Sequence, residues 1–226
     1  MTMQPEVHFY FDYISHNAYL AWTQLPRLVD RYAVRVRLLP VLFAGLLNHH
    51  GQKGPAEIRA KVHWMTKDVL RKASRLGIPL QPPASHPFNP LTALRLTLLP
   101  MDESLRWRLV DALFKATWAE SRDISRPEVV AAVATEIGLD GAALLAQAQQ
   151  PEAKQMLQDY TQQAIERGVF GVPTMIVSDE LFWGFDDLLH LELFLDGQDS
   201  FDAQEFSAWL DVKASSRRRP PDAKGR

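Results

Sequence analysis

The chain of 226 residues contains no cysteine. That absence excludes dithiol redox chemistry, a disulfide framework and cysteine-ligated metal. Also missing is any apolar run approaching the roughly 20 residues that a membrane span requires. The N-terminus, Met1-Thr2-Met3-Gln4-Pro5-Glu6, has no basic stretch leading into an apolar one. A cytoplasmic protein with no membrane partner is the expectation. Nor is there an excess of charge of either sign: 25 Lys and Arg stand against 27 Asp and Glu, for a net charge of −2. So even a balance gives no electrostatic basis for capturing nucleic acid, and the expected partner is a small molecule. HExxH spacing, a P-loop, a GxGxxG turn and a GxSxG frame around a serine are all absent.

What is present is enough to build a core, since 46% of the residues are hydrophobic. Val7-His8-Phe9-Tyr10-Phe11 reads as a buried strand, and Val34-Arg35-Val36-Arg37-Leu38 alternates apolar with basic as a half-wet strand does. Between them Leu20, Ala21, Leu25, Leu28 and Val29 follow helical spacing behind the caps Ser15 and Asn17. Strand, helix and strand make one parallel, right-handed unit. From about Phe43 to Gly168 the pattern is helical. The segment Pro55 to Leu76 is amphipathic, with Ile58, Val62, Met65, Val69 and Leu70 expected inward, and Gly77 ends it. Further helices are expected over Pro90–Leu99, Asp102–Ser121, Arg126–Ile137, Gly141–Gln149 and Pro151–Arg167, with a proline-rich connector from Pro82 to Pro90. Thr174–Val177 and Leu181–Trp183 then read as strands and Asp186–Leu195 as a helix. The order βαβ, helical block, ββα is that of an α/β thioredoxin-like domain with an inserted all-helical domain. On this reading 1–44 and 169–200 form the discontinuous thioredoxin-like part, 45–168 the insertion, and 201–226 an extension expected to be partly disordered.

In such a fold the turn after the first strand carries a redox Cys-x-x-Cys, and here that place holds Ser15. A site shaped for a thiol but holding a hydroxyl is explained if the thiol arrives with a cofactor, and glutathione is the obvious one. Ser15 as a simple helix cap is the plainer alternative. A helix N-terminus and a hydroxyl donor both favour thiolate over thiol. Gly171-Val172-Pro173-Thr174 is expected to face Ser15, with a cis Val172-Pro173 bond and the Val172 main chain offered to the cysteinyl unit of glutathione. The plainer reading of Pro173 is the start of an edge strand. Asp186 or Asp187 is a helix cap, or a carboxylate for the γ-glutamyl ammonium group. Asn48-His49-His50-Gly51-Gln52-Lys53-Gly54 is a polar loop whose histidines have no metal-ligand pattern around them. Lys61 and Lys67 follow on the long helix, as a solvated face or as partners for a carboxylate. Trp22, Phe43, Trp64 and Phe88 are core aromatics or walls of an aromatic-binding cleft.

Several of these segments together resemble the 2-hydroxychromene-2-carboxylate isomerase family, itself related to the kappa-class glutathione transferases. They are Phe9-Tyr10-Phe11-Asp12-Tyr13-Ile14-Ser15 with Ala18 to Ala21, Pro40 to Asn48, His86-Pro87-Phe88-Asn89-Pro90, and Gly171 to Thr174 continuing to Leu181-Phe182-Trp183-Gly184. The resemblance spans residues 7 to 195. It implies a glutathione-dependent cis–trans isomerase of bacterial naphthalene-type degradation, expected to be a homodimer. Ser15 is then the catalytic residue at the glutathione sulfur, with Asn48, Gln52, Lys61, Val172, Pro173 and Asp186 holding the cofactor. Phe43, Asn48, Lys53 and Phe88 would face the aromatic substrate. The family's Ser-Pro-Tyr is Ser15-His16-Asn17 here, which places a titratable imidazole beside the sulfur. Conjugating glutathione transfer and a non-catalytic thioredoxin-like binding protein are the rival readings.

Overall fold

The computed structural model describes residues 4–216. β1 (Glu6–Phe11) and β2 (Arg35–Pro40) pair in parallel, Phe9 opposite Leu38, and are joined by α1 (His16–Tyr32). β3 (Thr174–Val177) lies antiparallel on the other side of β1, Phe9 opposite Met175, and β4 (Glu180–Trp183) closes the edge in the order β2-β1-β3-β4. Between β2 and β3 come α2 (Phe43–His49), α3 (Arg59–Leu76), α4 (Leu91–Leu98), α5 (Glu103–Trp118), α6 (Pro127–Glu136), α7 (Gly141–Ala148) and α8 (Pro151–Glu166). α9 (Leu188–Leu195) and α10 (Ala203–Leu210) follow. This is the α/β thioredoxin-like domain with a helical insertion that the strand and helix periods predict.

Side chains alternate across the sheet, and each face buries its own set. Val7, Phe9 and Phe11 join Leu20 and Leu25 of α1, Phe114 of α5 and Met175 in the larger core. Tyr10, Leu39 and Ile176 face the opposite way, onto Leu46 of α2 and Ala164 of α8. The two ends of the insertion therefore cover one face of the sheet. The consequence for function is that β1 is buried on both sides and its C-terminal end is held firmly where Ser15 begins α1.

α1 runs as the sequence predicts, and three other local features differ from that reading. Pro26 lies inside α1, on its exposed side, where the lost main-chain bond faces water. The long helix predicted from Pro55 is split at Ile58 into a 3₁₀ turn (Pro55–Glu57) and α3. Val69 and Ala73 of α3 are buried and Ile58, Val62 and Met65 half-buried, while Leu70 is 53% and Trp64 63% exposed, so Leu70 does not face inward as expected and Trp64 is not a core residue. The extension contains α10, a helix the sequence reading did not anticipate; Arg217 onward lies outside the described residues.

Candidate active site

The turn from β1 into α1 is fixed atom by atom. Ser15 is the N-cap of α1, its Oγ accepting from the Ala18 amide at 3.1 Å, and its own amide donates to the Asp12 carbonyl at 3.1 Å. The Tyr13 carbonyl accepts Trp118 Nε1–H from the end of α5 at 2.9 Å, and the Ile14 carbonyl accepts from His86 Nε2 at 3.1 Å. His86 must carry its proton on Nε2 to do so. The Asp12 carboxylate is buried and uses both oxygens, Oδ1 for the Ile14 amide at 3.1 Å and Oδ2 for the Phe43 amide at 3.0 Å. Burial outweighs these two bonds and raises its pKa to about 7. Asp12 thus ties the Ser15 turn to the first residue of α2.

The Val172–Pro173 bond is cis, as the sequence predicts. Ser15 Oγ donates to the Val172 carbonyl at 3.3 Å, so residues 157 positions apart meet at the head of α1. The 171–173 segment is set from behind by Trp183. A Cβ on Gly171 would stand 2.5 Å from Trp183 Nε1, which only glycine avoids. The Pro173 carbonyl accepts from the Gly184 amide at 2.8 Å.

Around this pair stand three groups of side chains. Phe43, half-buried, packs into the apolar cluster that includes Val172. Beyond it Asn48, Gln52 and Lys53 lie exposed, and His50 in the same stretch reaches the Val169 carbonyl at 3.3 Å. The second group is aromatic: Trp118 meets His16 edge-on at a centroid distance of 5.8 Å, His86 at 5.8 Å and Phe88 at 6.5 Å. His86–Pro87 is a second cis bond. In the third group Lys72 Nζ pairs with Asp186 at 2.6 Å and Asp68 at 2.8 Å and lies 5.5 Å from the Phe185 ring centroid. Burial pulls the Lys72 pKa down, but the two carboxylates prevail and it ends above the ordinary value.

The sequence-named residues divide accordingly. Ser15, Val172 and Pro173 converge, and Phe43 and Phe88 flank them on two sides. Asp186 is present at the edge, but the lysine that meets it is Lys72. Lys61 is exposed eleven residues earlier on α3, about 16 Å along the helix at the usual rise per residue. His86, Trp118 and Lys72 carry contacts that no local motif announces.

His16 is neither solvent-facing nor cationic. Burial, with the neighbouring His86 as the next cause, lowers its pKa to about 4, and its Nδ1 is buried without a hydrogen-bond partner among the described residues. Asn17 Oδ1 is unpartnered in the same way. The first turn of α1 contains no acidic residue, so the positive end of its dipole is not neutralised from within the helix. A hydroxyl donor, a helix N-terminus and a nearby carbonyl acceptor form a set that fits an anionic sulfur attached to a peptide N–H.

Comparison with known proteins places these features in a family. Residues 6–196 match the DSBA-like thioredoxin domain. The 2-hydroxychromene-2-carboxylate isomerase of Sphingobium xenophagum is 31% identical over 195 residues, covering 85% of this chain and 99% of that protein. A glutathione S-transferase kappa 2 of Caenorhabditis elegans is 28% identical, covering 79% of this chain and 84% of its own. A solved 2-hydroxychromene-2-carboxylate isomerase superposes with a TM-score of 0.80 at 29% identity, covering 92% of this chain and all of that one.

Proposed function

Because the chain belongs to the DSBA-like thioredoxin domain family and, within it, to the 2-hydroxychromene-2-carboxylate isomerases, we propose that it catalyses a glutathione-dependent cis–trans isomerisation of an aromatic-degradation intermediate, 2-hydroxychromene-2-carboxylate giving trans-o-hydroxybenzylidenepyruvate. The observation that carries the glutathione part is the Ser15 Oγ contact with the Val172 carbonyl at the N-terminus of α1. When bound, glutathione supplies a thiolate able to add reversibly to a conjugated double bond, which leaves a single bond free to rotate before the thiolate departs.

The chain's own residues set the conditions for that chemistry. The Val172 carbonyl is the acceptor for the cysteinyl N–H, in the manner of an added strand. Once a ligand N–H takes that carbonyl, the Ser15 hydroxyl is released to donate to the sulfur. A hydrogen bond to a charged acceptor contributes about 1.5–3 kcal/mol and a helix N-terminus about 0.3–1 kcal/mol. Their sum lowers a thiol pKa near 8.5 by roughly two units, so the thiolate dominates at neutral pH. Neutral His16 adds no positive charge there and presents an uncharged imidazole wall with Trp118 and Phe88. Those rings offer an aromatic substrate a flat apolar surface. Asn48, Gln52 and Lys53, on the polar segment beyond Phe43, supply donors for a cofactor carboxylate or for the developing enolate oxygen. Asp186, already paired with Lys72, is the carboxylate for the γ-glutamyl ammonium group. The same features support a cytoplasmic enzyme, since glutathione is abundant there.

Calorimetric titration with glutathione and with S-methylglutathione tests the placement. Wild type binds glutathione more tightly than the thioether, and Ser15→Ala removes the difference by losing the thiolate preference. Equal affinity for both ligands in the wild-type protein would detach Ser15 from the sulfur. The kappa-class relative favours a second reading, conjugation that consumes glutathione, and glutathione recovery after turnover separates the two.

A further inference from the structure

Two polar side chains at the head of α1 stand apart from the satisfied contacts around Ser15. His16 and Asn17 open the helix, both half-buried. His16 Nδ1 and Asn17 Oδ1 are buried, and neither has a partner at hydrogen-bond distance among the described residues. The two side chains are nonetheless close, since Asn17 opposes the downward shift of the His16 pKa as a hydrogen-bond acceptor does. Leaving buried polar atoms unmet is costly. The favoured tautomer is therefore the one whose proton, on Nδ1, turns toward Oδ1 and serves both atoms at once.

That tautomer decides what the other end of the ring offers. Nε2 bonds no described residue and is not among the buried unpartnered atoms, so it stays accessible. With the proton on Nδ1 it presents an open lone pair. Its surroundings are flat and apolar. Trp118 meets the His16 ring edge-on at 5.8 Å and stands 6.5 Å from Phe88, and His86 lies 6.3 Å from Phe88. Lys72 and Asp68 act on His16 in opposite directions, and the Nε2–H of His86 is committed to the Ile14 carbonyl.

Such a nitrogen can serve as a base, as an anion contact or as a hydrogen-bond acceptor. As a base it is too weak: it holds a proton only below about pH 4, and a thiol titrating near roughly 8.5 keeps its own against it. For a carboxylate it has the wrong chemistry, because it sets a lone pair against a lone pair. What remains is a neutral donor, and on an aromatic ring that donor is a hydroxyl.

We propose that His16 Nε2 accepts a hydrogen bond from a hydroxyl on the ring of the bound aromatic substrate, and so selects hydroxylated aryl substrates over those without the group. This rests on the reading of the site as one for an aromatic substrate beside glutathione. The product named there, trans-o-hydroxybenzylidenepyruvate, carries such a hydroxyl. The contact also sets a direction: the ring lies toward Trp118 and Phe88, and the carboxylate end toward the polar segment of Asn48, Gln52 and Lys53.

Calorimetric titration with trans-o-hydroxycinnamate and with trans-cinnamate, which differ by the one hydroxyl, reads the contact without turnover. It is done on the protein saturated with glutathione and again without it. Wild type is expected to bind the hydroxylated acid about tenfold more tightly. His16→Leu should bring the two affinities within about twofold, and His16→Gln, which keeps an acceptor, should restore part of the difference. Failure of either acid to bind, equal affinities in the wild type, or a preference that survives His16→Leu would each overturn the proposal, the last by assigning the hydroxyl to another acceptor. Absence of glutathione binding alongside an intact, His16-dependent hydroxyl preference would instead remove the cofactor reading and leave this contact standing.

Discussion

At the scale of single residues, Ser15 and His16 make opposite kinds of contribution. Ser15 Oγ has two partners in the structure, the Ala18 amide and the Val172 carbonyl. Ser15→Ala removes the donor to sulfur but leaves the helix dipole. The bound thiol pKa should rise by roughly one to two units, and turnover near pH 6.5 should fall roughly tenfold, the deficit shrinking by pH 9. Rate profiles across that range check it, and a deficit of equal size at every pH would point to lost geometry instead. His16 affects stability. Its pKa falls from 6.5 to about 4 on folding, so the folded state resists a proton that the unfolded state accepts. Its contribution is complete above about pH 6.5 and is lost as pH falls toward 4, by up to about 3 kcal/mol. His16→Gln should therefore lose less stability than wild type between pH 7 and pH 4.5 in urea unfolding. Asp12 titrates in both proteins and cancels in the comparison. Parallel stability curves for the two proteins would mean that His16 is solvated.

At the scale of elements, the site is a junction of segments far apart in the chain. β1 supplies the turn, α5 and the 82–90 connector hold its carbonyls, α2 takes its carboxylate, and the 171–173 loop supplies the facing carbonyl. Gly171 is where two of these come closest. In Gly171→Ala the new methyl group meets Trp183 Nε1 at 2.5 Å, and the indole, packed at 5.1 Å against Phe170, must move. Glutathione affinity is expected to drop roughly tenfold, with a changed tryptophan emission and little loss of overall stability, a cost of about 1–2 kcal/mol typical of overpacking. Unaltered affinity would show that Trp183 does not set the position of Val172. The sequence reading found the elements but not all of these contacts. Ser15 and Val172 were legible because a capped strand-to-helix turn and a Val-Pro strand start each have a local signature. His86 and Trp118 were not, because a histidine in a proline-rich connector and a tryptophan at a helix end announce nothing until tertiary packing brings them to the Ile14 and Tyr13 carbonyls. Lys61, named by resemblance as a cofactor residue, and Lys67 were singled out on α3, whereas Lys72, which meets Asp186, was not, because all three α3 lysines look alike as a solvated face and only tertiary packing distinguishes them.

At the scale of the whole molecule, fold class followed from two periods, two residues in the strands and 3.6 in the helices, and from their order along the chain. The outward face of α3 was misread for a related reason. An apolar stripe states that a helix seeks a partner, but not that its own chain provides one, and Trp64 and Leu70 are left in solvent. No described helix is long and apolar enough to cross a membrane. The central claim is that glutathione acts here as a catalyst and is not consumed. It is tested most directly by following 2-hydroxychromene-2-carboxylate isomerisation with glutathione omitted and then supplied far below the substrate concentration, with free glutathione assayed at the end. The account predicts no enzymatic turnover without glutathione, many turnovers per molecule when it is present, and full recovery of the thiol. Undiminished turnover without glutathione, or one thiol lost for each product formed, would contradict it.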